Sequence, residues 1–81
     1  MLYSIRYLKS AMDEQGNWVP TEESDHRPFS SNQQSLIGIL AELVNFNFLD
    51  PKGRYELRDY RHHAIVVDSK TNEPILQIEE A

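Results

Sequence analysis

"YRHHAIVVD", residues 60–68, is the stretch whose reading decides the fold. Ala64, Ile65, Val66 and Val67 are apolar in unbroken succession, and successive side chains of a strand point to opposite faces. A strand apolar on both faces is one covered on both sides. One helix covers only one. The second cover is then expected from the segment around residues 10–30, whose Trp18 and Phe29 are large enough to lie across a sheet, or from a second protein molecule.

Outward from this strand, the flanking segments supply the sheet. Tyr55 and Leu57 alternate with Glu56 and Arg58, and Ile75-Leu76-Gln77-Ile78 returns after a polar loop at residues 68–74, so the last two runs read as a hairpin. Asp50-Pro51-Lys52-Gly53 fits a type I turn, with Asp at the first position, Pro preset at the second and Gly at the fourth. At the other end, Tyr3, Ile5 and Tyr7 alternate with Leu2, Ser4, Arg6 and Leu8 in the period of a strand. Asp13 to Asn17 supplies turn chemistry, and Trp18-Val19 returns as a short second strand that Pro20 confines to an edge. Residues 21–28 are polar and aperiodic and read as loop.

Between these blocks lies one helix. Ser30 and Ser31 each have a glutamine three residues on, the capping-box spacing. Leu36, Ile37, Ile39, Leu40, Leu43 and Val44 fall within an arc of roughly 160° at helical periodicity, leaving Gln34, Gly38 and Glu42 outside it. Asn45 and Asn47 punctuate the end. The expected fold is a single α+β domain over residues 1–81. In it a small antiparallel sheet of about four to five strands carries one amphipathic helix, about residues 31–45, across one face, in the order strand, short strand, helix, three strands.

Composition narrows the chemistry. Eighty-one residues without cysteine exclude disulfides, thiolate zinc sites and cysteine nucleophiles. No apolar run reaches the length of a signal peptide or a membrane span, so a soluble cytoplasmic protein is expected. A net charge of −5, from 13 acidic and 8 basic side chains, works against phosphate neutralisation along the chain as a whole. Lys52, Arg54, Arg58 and Arg61 nevertheless cluster.

The segment "LAELVNFNFLDPKGRYELRDY", residues 40–60, resembles the end of a winged-helix domain: a helix, an apolar tail, a D-P-K-G turn and a wing strand bearing arginines. The resemblance implies DNA binding through that helix and wing. A winged helix has two further helices upstream, whereas residues 1–29 read as strand and loop. The helix itself carries Glu42 and no Lys or Arg. Nucleic-acid binding is accordingly the alternative reading, carried by Lys52, Arg54, Arg58 and Arg61.

Catalytic motifs are absent from the pattern. His62 and His63 on a running strand would face opposite ways and could not share a metal, and His26 with scattered carboxylates has no metal-ligand spacing. Ser24-Asp25-His26 holds the residue types of a hydrolytic triad without any nucleophile elbow. Glu22-Glu23 and Glu79-Glu80 lack the apolar setting that raises a carboxyl pKa for acid catalysis. No catalytic, cofactor-binding or metal-ligating residue, no cofactor and no small-molecule substrate is expected, and a small metal-dependent or hydrolytic enzyme ranks last.

The aromatics point elsewhere. Trp18, Tyr55 and Tyr60, interleaved with Arg58 and Arg61, are residue types enriched where proteins dock. The expected function is a non-enzymatic protein-interaction module whose partner is another protein or a second copy of itself in a homodimer. Its composition is also compatible with a phage or mobile-element accessory protein that inhibits a host factor.

Overall fold

The computed structural model describes residues 2–80, apart from the side chains at positions 20 and 22–25. Five strands and one helix follow in the order β1 (Leu2–Met12), β2 (Trp18–Ser30), α1 (Leu36–Asn45), β3 (Tyr55–Asp59), β4 (His63–Asp68) and β5 (Pro74–Glu80). The sheet runs β2-β1-β5-β4-β3 and every pairing is antiparallel. The α+β architecture is thus a mostly-sheet domain with one helical layer. β5 slots between β1 and β4, with Ile5 opposite Ile78 and Ala64 opposite Ile78 on its other side.

Alternation sets which residues meet the helix. Tyr3 and Ile5 of β1, Leu76 and Ile78 of β5, Val66 of β4 and Phe29 of β2 form one cluster with Ile39, Leu43 and Leu49. Ile5, Ile39, Leu43, Leu76 and Val66 are fully enclosed. Burying each is worth about 1.5–3 kcal/mol, against a net stability of about 4–12 kcal/mol for a domain of this size. Phe29 sits edge-on to both Phe46 and Phe48, at 5.7 and 5.6 Å between ring centroids. It therefore closes the helix side of the sheet and cannot serve as the second cover.

The segment expected as a loop at residues 21–28 is strand. β2 runs unbroken from Trp18 to Ser30 against β1. Two register shifts, between Arg6 and Leu8 and between Lys9 and Ser10, leave extra residues on β2. Each bulge breaks the two-residue period, which is why no alternation shows in the sequence. Pro20 and Pro28 are accommodated because β2 is an edge.

Because β2 continues to Ser30, the helix starts later than its apparent capping boxes. Ser35 is the N-cap, its Oγ accepting from the Gly38 amide at 3.1 Å, while the Ser31 hydroxyl holds the Gln33 amide at 2.9 Å in a local turn. Ile37, assigned to the apolar arc, is 80% exposed. At Gly38 an added Cβ would lie 2.5 Å from Gln33 Oε1, the end of a flexible exposed side chain that can move aside, and 3.0 Å from Ser35 Oγ. The helix ends at Phe46, and Asn47 takes φ 62° just beyond it.

Aspartates set three of the connections. Asp13, Asp50 and Asp68 each accept, through Oδ1, the amide two residues on, at 2.9, 2.9 and 2.8 Å. The Asp50 turn closes with the Gly53 amide donating to the Asp50 carbonyl at 2.9 Å. Residues 1–29, as far as described, hold the β1–β2 hairpin and no further helix, so the winged-helix resemblance of residues 40–60 does not extend to the fold. Among the described residues no helix is long and apolar enough to cross a membrane.

Candidate protein-binding face

The side of the sheet away from α1 divides into a polar half and an aromatic half. Across β2, β1 and β5 runs a ladder of polar side chains. Arg6 Nε donates to His26 Nε2 at 3.0 Å, the other imidazole nitrogen lies 2.8 Å from Ser4 Oγ, and Arg6 Nη2 reaches Glu79 Oε1 at 3.6 Å. Gln77 Nε2 donates to the same Glu79 oxygen at 2.6 Å. A guanidinium only donates, so His26 Nε2 accepts and Nδ1 carries the proton. An imidazole held by arginine in place of a carboxylate is not primed as a general base for Ser4. The Ser24 and Asp25 side chains of the triad-like sequence lie outside the described residues.

The aromatic half is built from the tip of the β1–β2 hairpin, β3, β4 and the β4–β5 turn. Trp18, Arg58, Tyr60, Ile65, Val67 and Asn72 line one groove of about 330 Å³. The hairpin runs past the start of β5, and the Trp18 indole donates to the Thr71 carbonyl at 2.8 Å. Arg58 Nη2 donates to Asn72 Oδ1 at 2.9 Å, and Arg58 Nε stands 3.9 Å from Glu56. Asn72 itself is held at φ 64°.

Here the second flank of Ala64–Val67 is accounted for. Val67 is only 3% exposed yet stands outside the helix-side core cluster. Alternation after Val66 turns it away from the helix side, the register shift pairs it with Pro74, and it lines the groove with Trp18. Its cover therefore comes from its own chain. Ile65, opposite Arg58 and Gln77, remains half-buried.

Of the residues expected at a docking surface, Trp18, Arg58 and Tyr60 converge on this groove. Tyr55 does not, because it lies on the helix side and packs against the core; burial raises its phenol pKa above 10.0. Arg61 lines a second, larger cleft of about 690 Å³ at the end of the sheet, together with Asp59, His62, His63, Glu79 and Glu80. Tyr60 borders both, its ring stacked on His63 at 5.1 Å and 20°.

β4 starts at His63, and His62 sits in the preceding bend. The strand-parity argument, which holds only for a strand already running at His62, therefore does not apply to this pair. The cleft mixes cationic and anionic side chains, and no group of three or more possible metal ligands comes together among the described residues.

Of the groove partners, Ile65 and Val67 belong to the apolar run over which Trp18 was expected as a cover, whereas Thr71 and Asn72 were not singled out in the sequence. Asn72 carried a usable signal, an Asn before Glu-Pro at a turn, whereas the Arg6–His26 contact depends on two bulges that no local pattern announces. The fold and face define a small α+β domain with one side of its sheet open between a polar ladder and an aromatic groove. Comparison with protein-family models, curated proteins and solved structures gave no match.

Proposed function

We propose that this chain is a non-enzymatic cytoplasmic protein-interaction module, docking a protein partner on the helix-free face at the Trp18–Arg58–Tyr60 groove. The observation that carries the reading is the convergence of a tryptophan, a tyrosine and an arginine beside half-buried Ile65 on the one face that no helix covers. Trp, Tyr and Arg dominate binding energy where an apolar patch is ringed by polar groups. The groove's charged lining residue is Arg58, on a chain of net charge −5. A complementary segment therefore brings an apolar or aromatic side chain next to a carboxylate.

The test compares capture of a partner from source-cell extract by wild type, Trp18→Ala, Arg58→Glu and the distant control Ile37→Ser, each confirmed folded by circular dichroism. The reading predicts that wild type and Ile37→Ser retain the same protein and that the two groove variants lose it at least about tenfold, the loss of one hot-spot contact. Equal retention by all four would refute it.

A further inference from the structure

We propose that β3 is a self-association edge, through which two copies pair antiparallel about a two-fold axis at Leu57. The inference goes beyond the groove: it uses the open backbone edge of β3 and Glu56, and shares only Arg58 with the groove.

The two outer strands of the sheet are β2 and β3, and they are not equivalent. β2 carries Pro20 and Pro28, which lack amide donors, and is kinked by two bulges. Such devices blunt an edge against pairing. β3 has no proline and keeps an unbroken register with β4 from Tyr55–Asp68 to Asp59–Ala64.

Hydrogen bonds just beyond each end show which way its backbone points. Ser69 N donates to Arg54 O at 3.0 Å, and Tyr60 N donates to His63 O at 2.8 Å. In an antiparallel ladder, hydrogen-bonded residues alternate with those whose amides and carbonyls point away. Arg54, Glu56, Arg58 and Tyr60 therefore turn toward β4. Tyr55, Leu57 and Asp59 direct their backbone groups to the open side.

The sequence Tyr55-Glu56-Leu57-Arg58-Asp59 is self-complementary about its centre. With the axis at Leu57, its outward amide and carbonyl meet those of the partner's Leu57, and Tyr55 meets the partner's Asp59 in the same hydrogen-bonding mode. Glu56 then falls opposite the partner's Arg58, and Arg58 opposite the partner's Glu56. These are non-hydrogen-bonded positions, where Cα atoms approach to about 4.5 Å and side chains are closest.

Moving the axis by one residue fails twice. It brings backbone groups committed to β4 onto the axis, and it sets Glu56 against the partner's Glu56 or Arg58 against the partner's Arg58. Against these adjacent registers, charge and hydrogen-bond direction both favour the one centred on Leu57. The product is a continuous sheet of doubled width. Because α1 lies closest to β3 among the strands, the two helices flank the axis on one side, and the two Trp18 grooves share the other.

A five-residue edge is small beside the ~1,600 Å² of a standard interface, so weak, concentration-dependent assembly is expected over the micromolar to high-micromolar range. Sedimentation over that range should show the mass rising from 9.5 kDa toward twice that value. Exchange of the Leu57 amide should slow in step. Glu56→Arg or Arg58→Glu alone should leave a monomer throughout, and the double swap Glu56→Arg/Arg58→Glu should restore association by re-pairing the reversed charges. A mass fixed at the monomer value at the highest concentration overturns the proposal. So does a dimer indifferent to either single reversal, or one not recovered by the swap. Glu56 is not part of the Trp18 groove, so loss of the dimer in Glu56→Arg and loss of partner capture in Trp18→Ala are separable results.

Discussion

Tyr7 shows how much a single side chain can be asked to do in a core this small. Its ring packs against the helix-side cluster, its hydroxyl donates to the Phe48 carbonyl at 3.2 Å, and the Arg27 guanidinium lies 5.6 Å from the ring centroid. Burial raises its pKa above 10.0, and nearby Arg27 partly offsets the rise. The folded phenol thus keeps its proton at a pH where the unfolded chain has begun to lose it. Its contribution is whole below pH 10.0 and is lost as pH climbs through the raised folded value. The thermal midpoint should accordingly fall more steeply above about pH 10 in wild type than in Tyr7→Phe. At neutral pH the variant should be less stable by about 1 kcal/mol, for the lost hydrogen bond. Parallel midpoint curves for the two proteins across the alkaline range would contradict this placement of Tyr7.

At the scale of elements, the helix start separates what sequence patterns announce from what tertiary structure decides. Ser30 and Ser31 each satisfy a capping-box spacing, yet β2 claims Ser30 opposite Leu2, and the cap falls to Ser35. Ser35→Ala should cost about 1 kcal/mol, whereas exposed Ser30→Ala should stay within about 0.5 kcal/mol of wild type. Urea midpoints measure both, and an equal cost at the two positions would move the helix start. The strands at Leu2–Leu8, Tyr55–Arg58, Ala64–Val67 and Ile75–Ile78, the Asp50 turn and the body of the helix were legible because each follows one local rule. β2 was legible only at its start, where Trp18-Val19 read as a strand that Pro20 confines to an edge. Residues 21–28 were not, because two bulges break the period there. The groove was half legible for the same reason: Trp18, Arg58 and Tyr60 stand out by type, while their meeting with Val67 and Asn72 depends on the hairpin reaching the β4–β5 turn.

For the molecule as a whole, the doubly apolar strand posed a question of cover, and the chain answers it unevenly. α1 closes one face. On the other, the hairpin tip brings Trp18 to the groove that buried Val67 and half-buried Ile65 also line, and this groove carries the proposed docking role. If Trp18 swung freely, the groove would lose the wall that the hairpin tip gives it. The chain contains one tryptophan, so a single indole resonance reports on this arrangement. The decisive measurement is the nuclear Overhauser spectrum of the Trp18 Nε1 proton in the isolated protein. A fixed indole donating to the Thr71 carbonyl predicts slow exchange of that proton and cross-peaks to Thr71 and Asn72, whereas rapid exchange with cross-peaks confined to the β1–β2 hairpin would contradict the account.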